Sequence, residues 1–271
     1  MRSKVNVVKD LAESAITGRA LTIAGYDPSS GAGITADLQV FADHSVTGVS
    51  AVTALTVQST RGVRRIEPVR GMLLRETLDC LGEDGPIAGV KIGMLATAEV
   101  VGVVAEFLLG AGIPRERVVL DPVIRASSGA ELLSAEGVKR LVVDLLPVVG
   151  WVTPNLDEAA GLLGEPVAGR EGVPGQAARL AKLGRAGLNV VVTGGHLEPP
   201  DDFLRTALGE ERWFRGTRVA ARSTHGTGCA FSSALLCRLL LGDGRVEAVA
   251  GAKAWVVGRL EGAVEIRKRN V

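Results

Sequence analysis

Three short segments carry residues whose types and spacing could do chemistry. The first is Gly25-Tyr26-Asp27-Pro28-Ser29-Ser30-Gly31-Ala32-Gly33, where glycines let a ligand approach the main chain and Asp37 follows just beyond. It has neither the Gly-Lys-Ser/Thr of a P-loop nor the spacing of a dinucleotide fingerprint, and a plain strand-to-helix turn is the alternative reading. The second is Ser223-Thr224-His225-Gly226-Thr227-Gly228-Cys229-Ala230-Phe231-Ser232, opening a helical stretch. Small residues at a helix start turn several N–H groups toward one point, and the helix dipole makes that point attractive to phosphate. Cys229 falls in the first turn, where the same field favours a thiolate; alternatively it is a small apolar residue of a buried helix start, as Cys237 is. The third is Thr153-Pro154-Asn155-Leu156-Asp157-Glu158. Asn155 and Glu158, three apart, can offer oxygens to magnesium or to its water shell, but the same pair also fits reciprocal helix capping. Asp121, ahead of Pro122, adds a carboxylate at the end of another apolar run.

The elements around these segments alternate. Short, unbroken, β-branched runs at 20–24, 49–53, 87–91, 117–120, 148–152 and 188–192 read as strands covered on both faces. Between them, helical spacing occupies 35–44, 72–81, 98–109, 135–146, 156–163 and 176–183. A hairpin is expected over 204–207 and 212–217, with Gly209 and Glu210 in its turn, and terminal helices over 227–241 and 246–267. Residues 167–175 read as a surface loop. This is the order of a doubly wound α/β sheet, whose ligands bind at the carboxyl ends of the strands. Residues 1–19 read as an extension and 20–271 as one domain.

Composition narrows the function further. With 31 Lys+Arg against 30 Asp+Glu the net charge is +1, without the excess that nucleic acid or an anionic membrane surface calls for. The three Trp, one Tyr and five Phe give few stacking platforms for single strands. Every apolar run is interrupted well short of a membrane span. Cys80, Cys229 and Cys237 are odd in number, and residues 1–19 lack the apolar core of a signal peptide, so a reduced, cytoplasmic setting is expected. Eight residues of helix separate Cys229 from Cys237 by roughly 12 Å, too far for a disulfide.

The sequence over about residues 20–265 resembles the hydroxymethylpyrimidine/phosphomethylpyrimidine kinases of the ribokinase-like superfamily. The likeness is carried, in order, by ALTIAG, DPSSGAGITADLQVF and ALTVQSTRGV, by Lys91-Ile92-Gly93-Met94-Leu95, Asp121-Pro122-Val123, Thr153-Pro154-Asn155-Leu156 with Glu158, Gly194-Gly195-His196 and His225-Gly226-Thr227-Gly228-Cys229. The resemblance implies an α/β, three-layer αβα sandwich with a mostly parallel central sheet. It implies ATP-dependent phosphorylation of 4-amino-5-hydroxymethyl-2-methylpyrimidine and of its monophosphate, in thiamine biosynthesis, with Mg2+ and a homodimer. The chain stops after the last helix, so no appended thiamine-phosphate synthase region is expected. Carried over by position, Gly25, Asp37, Gln58, Met94 and Val123 surround the pyrimidine. Asp121, Asn155, Thr193 and Gly195 meet ATP phosphates, Asp121 and Glu158 hold the metal, and Gly226, Thr227 and Gly228 form an anion hole beside Cys229 as catalytic base. Two positions depart from the family: Thr193 stands where Lys is usual, and Tyr26 where a small hydroxyl residue is usual. A pyridoxal kinase and a catalytically weak pyrimidine sensor are the alternatives.

Overall fold

In the computed structural model, residues 18–59, 62–185, 187–219 and 226–269 are described, with 262–269 by backbone alone. The strands are β1 (Arg19–Tyr26), β2 (Gly48–Ser59), β3 (Gly62–Pro68), β4 (Ile87–Ile92), β5 (Val118–Leu120), β6 (Trp151–Val152), β7 (Asn189–Val192), β8 (Asp202–Arg205) and β9 (Glu211–Phe214). They form one sheet in the order β3-β2-β1-β4-β5-β6-β7-β8-β9. Neighbours from β2 to β7 are parallel, whereas β3 at one edge and the β8–β9 hairpin at the other run antiparallel. The chain leaves β1 toward β2 and returns on its far side to β4, so the topological switch point lies between β1 and β4.

Successive side chains of the short strands go to opposite layers, which is why their sequences are apolar without alternation. Leu21 and Ile23 of β1, Leu120 of β5, Val152 of β6 and Val190 of β7 join a core with Leu74, Leu78, Val100, Val104, Leu156 and Leu180. These last residues come from α2 (Gly71–Glu83), α3 (Ala98–Gly110), α5 (Leu156–Leu163) and α6 (Val173–Ala181), which with α4 (Ala135–Arg140) form one outer layer. The intervening Ala20, Val119, Trp151 and Val191 pack instead with Val40, Phe41, Phe231, Leu235 and Val249. That opposite layer consists of α1 (Gly33–Asp43), α7 (Thr227–Leu240) and α8 (Arg245–Arg269). The expected three-layer αβα sandwich is therefore present. Among the described residues no helix is long and apolar enough to cross a membrane.

The hairpin strands lie at Asp202–Arg205 and Glu211–Phe214 and β2 runs on to Ser59, and elsewhere the structure departs further from the sequence reading. Residues 62–68 form the edge strand β3, which the sequence does not announce: its charged side chains face water, as suits an edge that must not recruit another strand. The helix expected over 135–146 is α-helical only to Arg140; a π turn at Leu141–Leu145 follows and Pro147 lies in a closing 3-10 turn. The strand expected over 148–152 shortens to Trp151–Val152, where Gly150 passes so close to Arg115 that a Cβ would stand 2.2 Å from its carbonyl oxygen. Finally, 167–175 is only partly a loop. Arg170–Gly172 is a 3-10 turn and α6 begins at Val173, where Pro174 suits a first turn.

Candidate active site

The chemistry-bearing segments meet along the carboxyl edge of the parallel strands. Backbone hydrogen bonds hold this edge in register: Gly93 donates to Ile23 (2.9 Å), Asp121 to Ile92 (2.8 Å), Thr153 to Leu120 (2.9 Å) and Thr193 to Pro154 (2.9 Å). After β1 the chain is folded by Asp27, whose carboxylate accepts from Ser29 N (2.8 Å), Ser29 Oγ (2.7 Å) and Ala32 N (3.1 Å). Gly33 enters α1 at φ +64°, and a Cβ there would lie 2.2 Å from the Gly25 oxygen. Only glycine satisfies both conditions.

Against this loop stands the start of α7. Gly226 is in the left-handed region at φ +79°, with the position of a Cβ 1.8 Å from the Gly31 oxygen, and it supplies no side-chain cap. Thr227, Gly228 and Cys229 form the first turn, with Gly228 exposed. A Cβ on Gly228 would sit 3.8 Å from Asp121 Oδ2, so the turn overlooks that carboxylate. The half-buried Cys229 thiol lies beside the Gly33 N–H and the Asp121 carboxylate, and both act on its ionisation. Here the structure corrects the expectation of a helix-start thiolate. Burial, with the Asp121 and Asp37 carboxylates, outweighs the pull of Lys91 and pushes the thiol up to about 12. Ser223, Thr224 and His225 of the same motif lie outside the described residues.

Across the edge, Asn155 caps α5. Its Oδ1 accepts from Glu158 N, and Glu158 Oε2 accepts from Asn155 N, both at 2.9 Å, so the capping alternative is realised. Glu158 does more than cap. Burial and then the neighbouring Asp121 charge push its carboxyl up to about 8, against the N–H groups of Asn155 and Ile124. Asp121 is itself raised, chiefly by burial, with Lys91 opposing and Ser232 Oγ donating at 3.2 Å. Two neighbouring buried carboxylates suit a hard divalent cation that completes its shell with water and phosphate oxygens. Among the described residues, no group of three or more His, Cys, Asp or Glu forms a self-sufficient metal cage.

The ligand-facing residues divide. Met94 is buried in a small apolar cluster with Val123, Ala54 and Ile66, and a Cβ on Gly25 would stand 2.8 Å from Met94 Sδ. These three thus converge on one floor. Gln58, half-buried near the end of β2, pairs with Val63 of β3. Asp37 behaves differently. It has no exposed surface, and its carboxylate is occupied by Lys91 Nζ, Thr22 Oγ1 and Ser233 Oγ. On the phosphate side Thr193 bridges to Asn155, Gly194 N is fixed by Asp202 Oδ1 (2.9 Å), and Gly195 is exposed. The Asp202 carboxylate is fastened in turn by Lys253 at 2.7 Å. Sequence reasoning quoted Lys91 and Ser232 within motifs without giving either a role, and missed Ser233 and Asp202. Only Lys91 left a signal, as the lone charge in the strand Ile-Ala-Gly-Val-Lys-Ile.

A helix start open to phosphate, facing paired carboxylates across the switch-point edge of an αβα sandwich, is the arrangement of a ribokinase-like small-molecule kinase. The family model described as phosphomethylpyrimidine kinase matches residues 27–271, and the chain belongs to that family. It is 42% identical over 244 residues to the hydroxymethylpyrimidine/phosphomethylpyrimidine kinase of Escherichia coli K12, covering 89% of this chain and 90% of that one. The crystal structure of phosphomethylpyrimidine kinase from Clostridium difficile 630 superposes with a TM-score of 0.76 at 31% identity, covering 89% of this chain and 99% of that one. A pyridoxal kinase from Staphylococcus aureus, in complex with AMP-PCP and pyridoxal, gives a TM-score of 0.79 at 27% identity, covering 90% and 88%.

Proposed function

We propose that this kinase moves the terminal phosphoryl group of ATP to the hydroxymethyl oxygen of 4-amino-5-hydroxymethyl-2-methylpyrimidine, and then phosphorylates the monophosphate, in the cytoplasmic synthesis of thiamine. The observation that carries this reading is the convergence of the Gly226–Cys229 turn with Asp121 and Glu158 beside the Gly25–Met94–Val123 floor. The N–H groups of Thr227, Gly228 and Cys229 receive the charge that develops on the transferring group, while Cys229 lies placed to take the alcohol proton. Asp121 and Glu158 would hold Mg2+, which supplies charge neutralisation between the phosphates. Thr193 and Gly195 line the phosphate side, with Asn155 fixing the start of α5 between them and Asp121. On the floor, Met94 and Val123 meet the ring face and Gln58 reads its amino and ring-nitrogen edge, since an amide can donate and accept together. A homodimer would cover Leu55 and Val57, which β2 leaves exposed.

Two outcomes test the substrate assignment. Gln58→Leu leaves the polar edge of the pyrimidine unpaired, which costs about 1–3 kcal/mol per buried group and weakens calorimetric binding roughly 5- to 150-fold. Equal affinity in both proteins removes Gln58 from the site. Thr193 offers a hydroxyl and no charge, so the added negative charge of a monophosphate goes unopposed at this position. The free alcohol is therefore expected to be the better substrate by kcat/KM, and Thr193→Lys to raise activity on the monophosphate more than on the alcohol. A wild type that handles both equally, with a ratio unmoved by Thr193→Lys, contradicts the charge argument. The same assay with pyridoxal separates the alternative vitamin kinase.

A further inference from the structure

We propose that Lys91, Asp37 and Ser233 form a buried positioning network that sets the first turn of α7 at the phosphoryl-transfer point. The proposal rests on the reading of that turn as the transfer site. Lys91 and Asp37 have no exposed side-chain surface, and Lys91 Nζ lies 2.9 Å from each carboxylate oxygen. Thr22 Oγ1 donates to Asp37 Oδ2 at 2.6 Å and Ser233 Oγ to Oδ1 at 2.7 Å. Both oxygens are thus engaged by β1, β4 and α7, and the carboxylate acts on the reaction through these elements rather than by touching substrate. Room for the ammonium is made by Gly93, where a Cβ would stand 2.9 Å from Lys91 Nζ.

The adjacent Ser232 donates to Asp121 Oδ2 at 3.2 Å, so two consecutive serines fasten α7 to two different carboxylates. Cys229 is four residues before Ser233, one turn back on the same helical face. A helix transmits that anchorage to its first turn without slack, and misplacement by about 1 Å can reduce a rate a hundredfold. A buried ion pair is weak evidence for stability, since an apolar replacement is often as stable; fixing one arrangement of packed elements is the use that remains.

Ser233→Ala removes the link and leaves both charges in place. Its kcat is expected to fall about tenfold or more, while KM for ATP and for the hydroxymethylpyrimidine stays within about twofold and the melting midpoint within about 3 °C. A second variant, Asp37→Asn with Lys91→Gln, replaces the ion pair by amides able to bond to each other, to Thr22 and to Ser233. It is expected to recover kcat to within about fivefold of wild type, whereas Lys91→Met alone does not. Native kcat in Ser233→Ala overturns the proposal, as does a folded double variant as slow as Lys91→Met. Should the double variant not fold, the Ser233→Ala result decides. Cys229→Ser serves as the control. If it keeps native turnover, the reading of the turn and this proposal fall together; if it is slow while Ser233→Ala is native, only the network fails.

Discussion

Replacing Cys229 with serine is expected to lower kcat by roughly a hundredfold or more while KM for the pyrimidine moves less than about threefold. The sulfur sits at a junction, beside the Gly33 N–H and the Asp121 carboxylate and within the field of the Lys91 charge. With its pKa pushed up to about 12, only a small fraction is thiolate near neutrality, and that fraction grows tenfold per pH unit. A serine hydroxyl in the same surroundings ionises far beyond reach and places a smaller, harder atom nearer the backbone. The serine variant should therefore bind both substrates and turn over slowly. Steady-state kinetics on the free alcohol provide the check, and an unchanged kcat returns Cys229 to a packing role.

Glu158→Gln should separate function from stability. A glutamine oxygen can still accept from Asn155 N, so the capping box survives. What disappears is a negative charge beside Asp121, and with it part of the cation site, so kcat should fall about 10- to 100-fold and require more Mg2+. Stability should move the other way. The unfolded chain ionises Glu158 near its ordinary value of 4.5, the folded protein only near 8, so folding across that window takes up a proton. Native stability therefore declines as pH rises from about 4.5 to 8 and levels off above. Glutamine carries no such penalty. Its melting midpoint should exceed the native one by roughly 3–8 °C at pH 8, with the gap closing toward pH 5. A gap independent of pH would mean that Glu158 is not held protonated by its surroundings.

The layer order and most elements were legible in the sequence because each parallel strand is a short apolar run between helical segments, as Ile87–Ile92 and Asn189–Val192 illustrate. The segments that gather at the carboxyl edge were legible too, since glycines, Asp121 and the Asn155–Glu158 spacing mark them. The remainder depends on the fold's environment rather than on residue type. β3 is a strand because β2 offers it an edge, although Val-Arg-Arg-Ile-Glu shows no buried face. The protonation of Cys229 is decided by crowding from residues distant in sequence, which outweighs the helix start that the sequence displays. Asp37 could be recognised from its motif, but its complete burial and its bonds to Lys91 and Ser233 exist only once β4 and α7 arrive.

The contact of Gly226 with Gly31 has a consequence for how the protein is made. The neighbouring Asp37–Ser233 bond closes a loop of 196 residues, so the two halves of the transfer site are joined by one of the most non-local contacts in the fold. A ribosome-bound chain that has emerged only as far as β9 contains every strand, the carboxylates and the floor residues, yet lacks both α7 and α8, so one face of the sheet is largely uncovered and the phosphate-binding turn is missing. Catalytic competence then appears as a single late event, when α7 docks, and not by degrees as synthesis proceeds.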